Sequence, residues 1–112
     1  ITKAASEGHA GARIALDVFC FRLSRCIGGI AMSLPRIDAL IFTGGIGENS
    51  AVVREQVMHN LQLLGYRVDV EKNACNGKKA NGRISLDHTP LAMVIPTNEE
   101  LLIALDTESL VR

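Results

Sequence analysis

Three glycines within four residues stand in the string Thr43-Gly44-Gly45-Ile46-Gly47-Glu48-Asn49-Ser50, where an apolar run, Asp38-Ala39-Leu40-Ile41-Phe42, hands over to a helical pattern. Open α/β sheets bind ligands at such handovers, outside the carboxyl ends of their strands. Glycine lets a ligand approach the backbone, and a helix start offers N–H groups with a partial positive charge. The chemistry implied is the holding of an anionic ligand such as a nucleotide. A tight turn capped by Asn49 or Ser50 uses the same residue types, although such a turn rarely needs three glycines. Gly45-x-Gly47-x-x-Ser50 also imitates a dinucleotide fingerprint, with Asp69 further on at the next expected strand. Ser50 there replaces the glycine that allows close helix–strand packing. No Gly-Lys-Ser/Thr closes the string, so it is not a P-loop.

The second strand-to-helix handover is Pro96-Thr97-Asn98-Glu99-Glu100. Thr97-x-x-Glu100 matches a capping box, in which each side chain satisfies an amide at the helix start. Glu99 has no such structural duty beyond the general preference for acids in a first turn. A carboxylate at a strand's carboxyl edge, beside a nucleotide loop, can hold Mg²⁺ directly or through water. His9, His59 and His88 are dispersed without ligand spacing and read as surface residues. Cys20, Cys26 and Cys75 form no C-x-x-C, and read as free thiols, with Cys20 and Cys26 on the buried face of a helix. Lys78-Lys79 reads as a solvated charge pair, and no Ser/His/Asp set has local support.

The elements that must position these residues follow from periodicity. Leu16, Phe19, Cys20, Leu23, Ile27, Ile30 and Leu34 recur at three- and four-residue steps, predicting one helix over 10–34 that Pro35 stops. Arg13 and Asp17 pair across one turn of its other side. Residues 38–43 read as a strand covered on both faces. A helix over 50–64 with Val53, Val57, Leu61 and Leu64 on one stripe ends at Gly65 as its left-handed cap. Tyr66–Val70 reads as a second strand, and the polar residues 71–90 as a surface excursion with a short strand at 83–86. Leu91–Ile95 gives a third strand, and an apolar-striped helix runs to about Ser109. The order indicates a layered α/β domain, a mostly parallel sheet with flanking helices.

Composition narrows the function classes. The 112 residues carry 12 basic and 12 acidic side chains, and this balance removes the electrostatic case for nucleic acid or an anionic membrane surface. With 47% hydrophobic residues and a mean hydropathy of +0.19, the chain has enough apolar surface for a core. Its longest apolar stretches fall short of the roughly 20 residues needed to span a bilayer. Trp is absent and aromatics make up 4%, against a base-stacking platform.

Asp38 through Ser50 closely resembles the adenosine-binding signature of acetate and propionate kinases. Ala15-Leu16-Asp17-Val18-Phe19-Cys20 with Arg22, and Val94-Ile95-Pro96-Thr97-Asn98-Glu99-Glu100-Leu101, resemble the same family in the same order. The resemblance runs over nearly all of the sequence. It implies residues 1–112 as the C-terminal portion of the nucleotide-binding domain, within an actin-like ATPase (ribonuclease H-like) fold whose two domains close on a nucleotide and Mg²⁺. It implies reversible phosphate transfer between ATP and acetate or propionate, giving an acyl phosphate and ADP. Gly45, Ile46, Gly47, Glu48 and Asn49 then correspond to the loop against ATP or ADP, and Glu99 to the family's magnesium-associated glutamate.

Departures from the family bear on activity. The family's Asn-x-Gly-Ser-Ser motif, its substrate-side arginines and aspartate, and its phosphoryl-stabilising histidine are not in this sequence. Its Asp-x-Arg motif would fall just before Ile1. Phosphoryl transfer needs both substrates positioned and the transferring charge neutralised. No catalytic residue is therefore assigned, and the chain alone is expected to be inactive. The start at Ile1 without a signal peptide fits a piece of a larger cytoplasmic enzyme, a homodimer when full length, completed by the missing N-terminal part and taking a short-chain carboxylate. The competing expectations are a non-catalytic nucleotide-binding or interaction module, and an NAD(P)-binding fragment.

Overall fold

The structure, a computed structural model, describes residues 7–97 and 99–111. Helix α1 (Ala10–Ala31) is entered through His9, whose Nδ1 accepts from the amide of Ala12 at 3.0 Å. This satisfies one of the orphan amides of a helix start with a side chain not usually chosen for it. The helix ends at Ala31 rather than at residue 34. Ser33 and Leu34 donate instead to Ile30 and Ala31, closing the tighter turns that bring the chain to Pro35.

Strand β1 (Leu40–Phe42) leads into a six-residue helix α2 (Gly44–Asn49), then α3 (Ala51–Asn60) and a single 3₁₀ turn, Gln62–Leu64. Ser50 caps α3 by accepting from the Val53 amide, and Gly65, at φ 92°, is the expected left-handed stop. Helix α4 (Val70–Ala74), strand β2 (Ala92–Val94) and helix α5 (Glu99–Val111) complete the order. The two strands are parallel, with Leu40 opposite Ala92 and Phe42 opposite Val94. Phe42 is buried, but Ile41 is 48% exposed, so β1 is covered on one face and not on both.

The core forms where α1 and α3 pack over this pair, from Leu16, Cys20, Val53, Val57, Met58, Leu61, Tyr66 and Ile84 among others. Val57, Met58 and Ile84 have no exposed surface, and burying each contributes about 1.5–3 kcal/mol. The α1–α3 seam also carries polar contacts: Gln56 donates to Asp17 at 2.9 Å and Asn60 to Ser24 at 3.2 Å. The expected Arg13–Asp17 pair is present at 3.5 Å and exposed. Phe19, Ile30 and Leu34 lie outside the buried stripe, as do the outward Ile14, Val18 and Phe21. Cys26 is exposed and not buried. Six residues beyond Cys20, it sits well off that residue's face at about 100° per residue. Helix α5 leaves Leu102, Ile103, Leu105, Leu110 and Val111 exposed.

Two expectations fail between 66 and 90. Tyr66–Val70 is not a strand: only Val68 bridges, antiparallel to Ser85. Asp69 instead caps α4, accepting from the Lys72 amide at 3.1 Å, and this local bond ends the extended run. The segment 71–90 is not a surface excursion either. Asn73, Ile84 and Ser85 are buried, and residues 82–86 lace against β2 through Ile84 N to Ala92 O, Ala92 N to Ser85 Oγ and Val94 N to Gly82 O. They form isolated bridges, so among the described residues the sheet has two strands and not the expected three. Among the described residues, no helix is long and apolar enough to cross a membrane.

Candidate functional site

The parallel register brings the two handovers side by side. The carbonyl of Phe42, the last residue of β1, accepts from the Ile95 amide at 3.0 Å, just past the end of β2. One step on, the hydroxyl of Thr43 donates to the Ile95 carbonyl at 2.6 Å. The string that follows is helical as α2, not an open loop. Asn49 holds it closed by donating Nδ2 to the Gly45 carbonyl at 2.8 Å.

Its three glycines answer to different constraints. Gly44 has φ +73°, the left-handed region that lets the chain turn from strand to helix in one residue. Gly47 lies against the strand: a Cβ there would stand 3.2 Å from the Phe42 carbonyl carbon. It therefore supplies the close helix–strand packing sought at Ser50, and its Cα faces protein rather than ligand. Gly45, like Gly44, has open space where a Cβ would go, which leaves its backbone open to a ligand. Ile46 is 55% exposed at the same end.

A buried cation fixes the far end of α2. Arg54, on α3, has no exposed surface, and all five of its N–H groups are engaged. Nη1 donates to the carbonyls of Gly47 and Glu48, both at 3.0 Å, and these belong to the carbonyls a short helix leaves unpaired at its end. Nε donates to Asn73 Oδ1 at 2.7 Å, while Nη2 donates to the Asn73 carbonyl at 2.8 Å and Asn76 Oδ1 at 2.6 Å. None of these partners is a carboxylate. Burial pushes the Arg54 pKa below its ordinary value, but a guanidinium stays charged. A buried arginine, with the asparagines that serve it, is what a reading of the loop motif misses. A charge beside the apolar Val53 and Val57, with Asn73 and Asn76 downstream, is too ordinary a pattern to single out.

Glu48 and Asn49 line a cleft of about 400 Å³ with Asn76, Lys78, Ile95 and Pro96. The loop after β1, the exit of β2 and the turn after α4 thus meet at one place, and Lys78, read as merely solvated, is the cation on its wall. A larger cleft, about 570 Å³, lies between α1 and α3 and is lined by Arg13, Gln56, His59, Tyr66 and Arg67. Size favours it, but no strand exit opens into it, and functional sites in α/β folds follow strand exits.

Of the expected site residues, Gly45, Ile46, Gly47, Glu48 and Asn49 come together on α2. Glu99 begins α5, three residues beyond the cleft-lining Pro96. The Thr97–Glu100 capping box and the Glu99 carboxylate lie outside the described residues. Among the described residues, no three His, Cys, Asp or Glu side chains form a metal-holding group. Mg²⁺ is commonly held by one or two carboxylates together with substrate phosphates, which asks for no such cage. Asp69, needed by a dinucleotide reading, spends its carboxylate on the α4 cap and Lys72.

Residues 1–105 match the sequence profile of the acetokinase family. The chain is 47% identical over 110 residues to an acetate kinase of Ectopseudomonas mendocina (strain ymp), covering 98% of this chain and 28% of that relative. Among solved structures it is similar to a propionate kinase from Francisella tularensis subsp. tularensis SCHU S4, with a TM-score of 0.82 and 35% identity over 92% of this chain and 26% of that one. It is also similar to the acetate kinase of Porphyromonas gingivalis, with a TM-score of 0.78 and 30% identity over 99% of this chain and 28% of that one. The chain thus spans between a quarter and a third of the length of these relatives.

Proposed function

Because this chain belongs to the acetokinase family, with an actin-like ATPase fold, we propose that it forms the ATP-binding part of a short-chain carboxylate kinase. Residues 1–112 are then the C-terminal portion of the nucleotide-binding domain. The observation that carries this is the meeting of two strand exits: α2 after β1 stands beside Ile95 and Pro96 after β2, with Gly45 open to an approaching ligand.

In the reaction, a carboxylate oxygen attacks the γ-phosphorus of ATP, the bond from that phosphorus to the β,γ-bridging oxygen breaks, and ADP departs from the acyl phosphate. This chain's part is positional. The segment Gly45, Ile46, Gly47, Glu48 and Asn49 lies along the nucleotide, with Gly47 seating it on Phe42, and Arg54 keeps it in shape from behind. Glu99 is the residue that would hold Mg²⁺, which neutralises phosphate charge when bound. The carboxylate pocket, whether for acetate or propionate, belongs to the rest of the enzyme. The chain alone is accordingly without phosphotransfer activity. The full-length enzyme is a cytoplasmic homodimer in this account, and the exposed Ile14, Val18 and Phe21 of α1 are apolar surface available to such packing.

Calorimetric titration of the chain with ATP and Mg²⁺ tests this. Saturable binding that NADH does not displace is expected. Glu99→Gln should remove the Mg²⁺-dependent part of the affinity, and Glu100→Gln should leave it. Displacement of ATP by NADH, or no ATP binding, would overturn the proposal.

A further inference from the structure

The side chain of Thr43 does something unusual for its position. Thr43 is the N-cap residue of α2, with extended backbone at φ −151° and ψ 173°, and threonine there normally accepts from an amide of the first turn. Here the side chain makes no cap bond. Its hydroxyl points across to the neighbouring strand exit and donates to the carbonyl of Ile95 at 2.6 Å, a short neutral bond between residues 52 apart in sequence.

The ladder explains why that carbonyl needs a donor. In this parallel pair the Leu40 amide donates to Leu91, and the Phe42 carbonyl accepts from Ile95. Continuing the alternation, the next bond would run from the amide of Gly44 to the carbonyl of Ile95. Gly44, at φ +73°, has already left the strand to open α2. The Thr43 hydroxyl takes the place of that missing rung. It lets β1 end one residue early, so that the glycines can curl into α2, while keeping the two strand exits in register.

We propose that Thr43 is a positioning residue for the nucleotide segment, acting through the β2 exit rather than by touching the nucleotide itself. This rests on the nucleotide-binding role proposed above. Without the hydroxyl, the start of α2 and the Ile95–Pro96 wall of the cleft lose their shared bond and sample other spacings. Apparent affinity then falls in proportion to the fraction of molecules still in register.

The test compares wild type, Thr43→Val and Thr43→Ser by calorimetric titration with ATP and Mg²⁺, with thermal unfolding measured in parallel. Valine has the shape of threonine without the donor, and Thr43 is exposed, so titration well below Tm compares folded proteins. Thr43→Val should weaken binding about tenfold, the effect of about one hydrogen bond, and Thr43→Ser should bind within about twofold of wild type. Three results would overturn the proposal: Thr43→Val binding like wild type whatever its Tm, Thr43→Ser binding as weakly as Thr43→Val, or no binding by wild type. The last would remove the nucleotide-binding role as well, whereas the first two leave that role standing.

Discussion

Replacing Arg54 by methionine keeps the length and apolar stem of the side chain and removes its charge and all five donors. The acceptors stay behind: the carbonyls of Gly47, Glu48 and Asn73, and the side-chain oxygens of Asn73 and Asn76. A buried acceptor without a partner costs about 1–3 kcal/mol. Not all five would be charged in full, because Glu48 and Asn76 line the open cleft and can take water. Two or three stranded acceptors give about 3–5 kcal/mol, the range seen when one member of a buried polar network is removed. A hydrophobic replacement can sometimes match a buried ion pair, but only when both partners are changed, and here three acceptors are backbone. For a chain of this size about 1 kcal/mol moves Tm by about 4 °C, so Arg54→Met should unfold about 12–20 °C below wild type. Arg54→Lys, with three donors on a compact head, should fall between them. Thermal unfolding followed by circular dichroism measures this. A fall of less than about 4 °C in Arg54→Met would refute the account of Arg54 as the brace of α2.

Gly47→Ala should lower Tm by several degrees, since its Cβ would press on the Phe42 backbone at 3.2 Å, whereas Gly45→Ala should leave Tm nearly unchanged and weaken nucleotide binding. Unfolding and titration of both variants separate the packing glycine from the exposed one. Burial, and secondarily the charge of Asp17, push the Cys20 thiol above its ordinary value of 9.0. The unfolded chain therefore loses that proton first, so the contribution is intact below pH 9.0 and is lost as pH rises toward the folded value. Urea midpoints should fall with alkaline pH, and less steeply in Cys20→Ala.

What the sequence discloses here depends on how local the cause is. The Leu16–Cys20 face of α1, the Ser50 cap and the Gly65 stop follow from spacing within one or two turns. The failures have distant causes. Asn73 and Ser85 read as surface residues because they are polar, but Asn73 is buried to serve Arg54, 19 positions away, and Ser85 to serve the amide of Ala92. Tyr66–Val70 alternates like a strand, and the Asp69 cap overrides it. In the candidate site, the glycine spacing marks the segment Gly45 to Asn49, which forms most of α2. That Thr43 reaches Ile95 depends on the register of a strand 52 residues on, which no local pattern encodes.

The most direct measurement of the central claim is a residue-resolved one: amide chemical shifts of the isotope-labelled chain during titration with ATP and Mg²⁺. The largest changes should fall on Gly45, Ile46, Gly47, Glu48 and Asn49, with smaller ones at Ile95. Changes centred instead on Arg13, His59 and Arg67 in the larger cleft, with α2 unmoved, would contradict it.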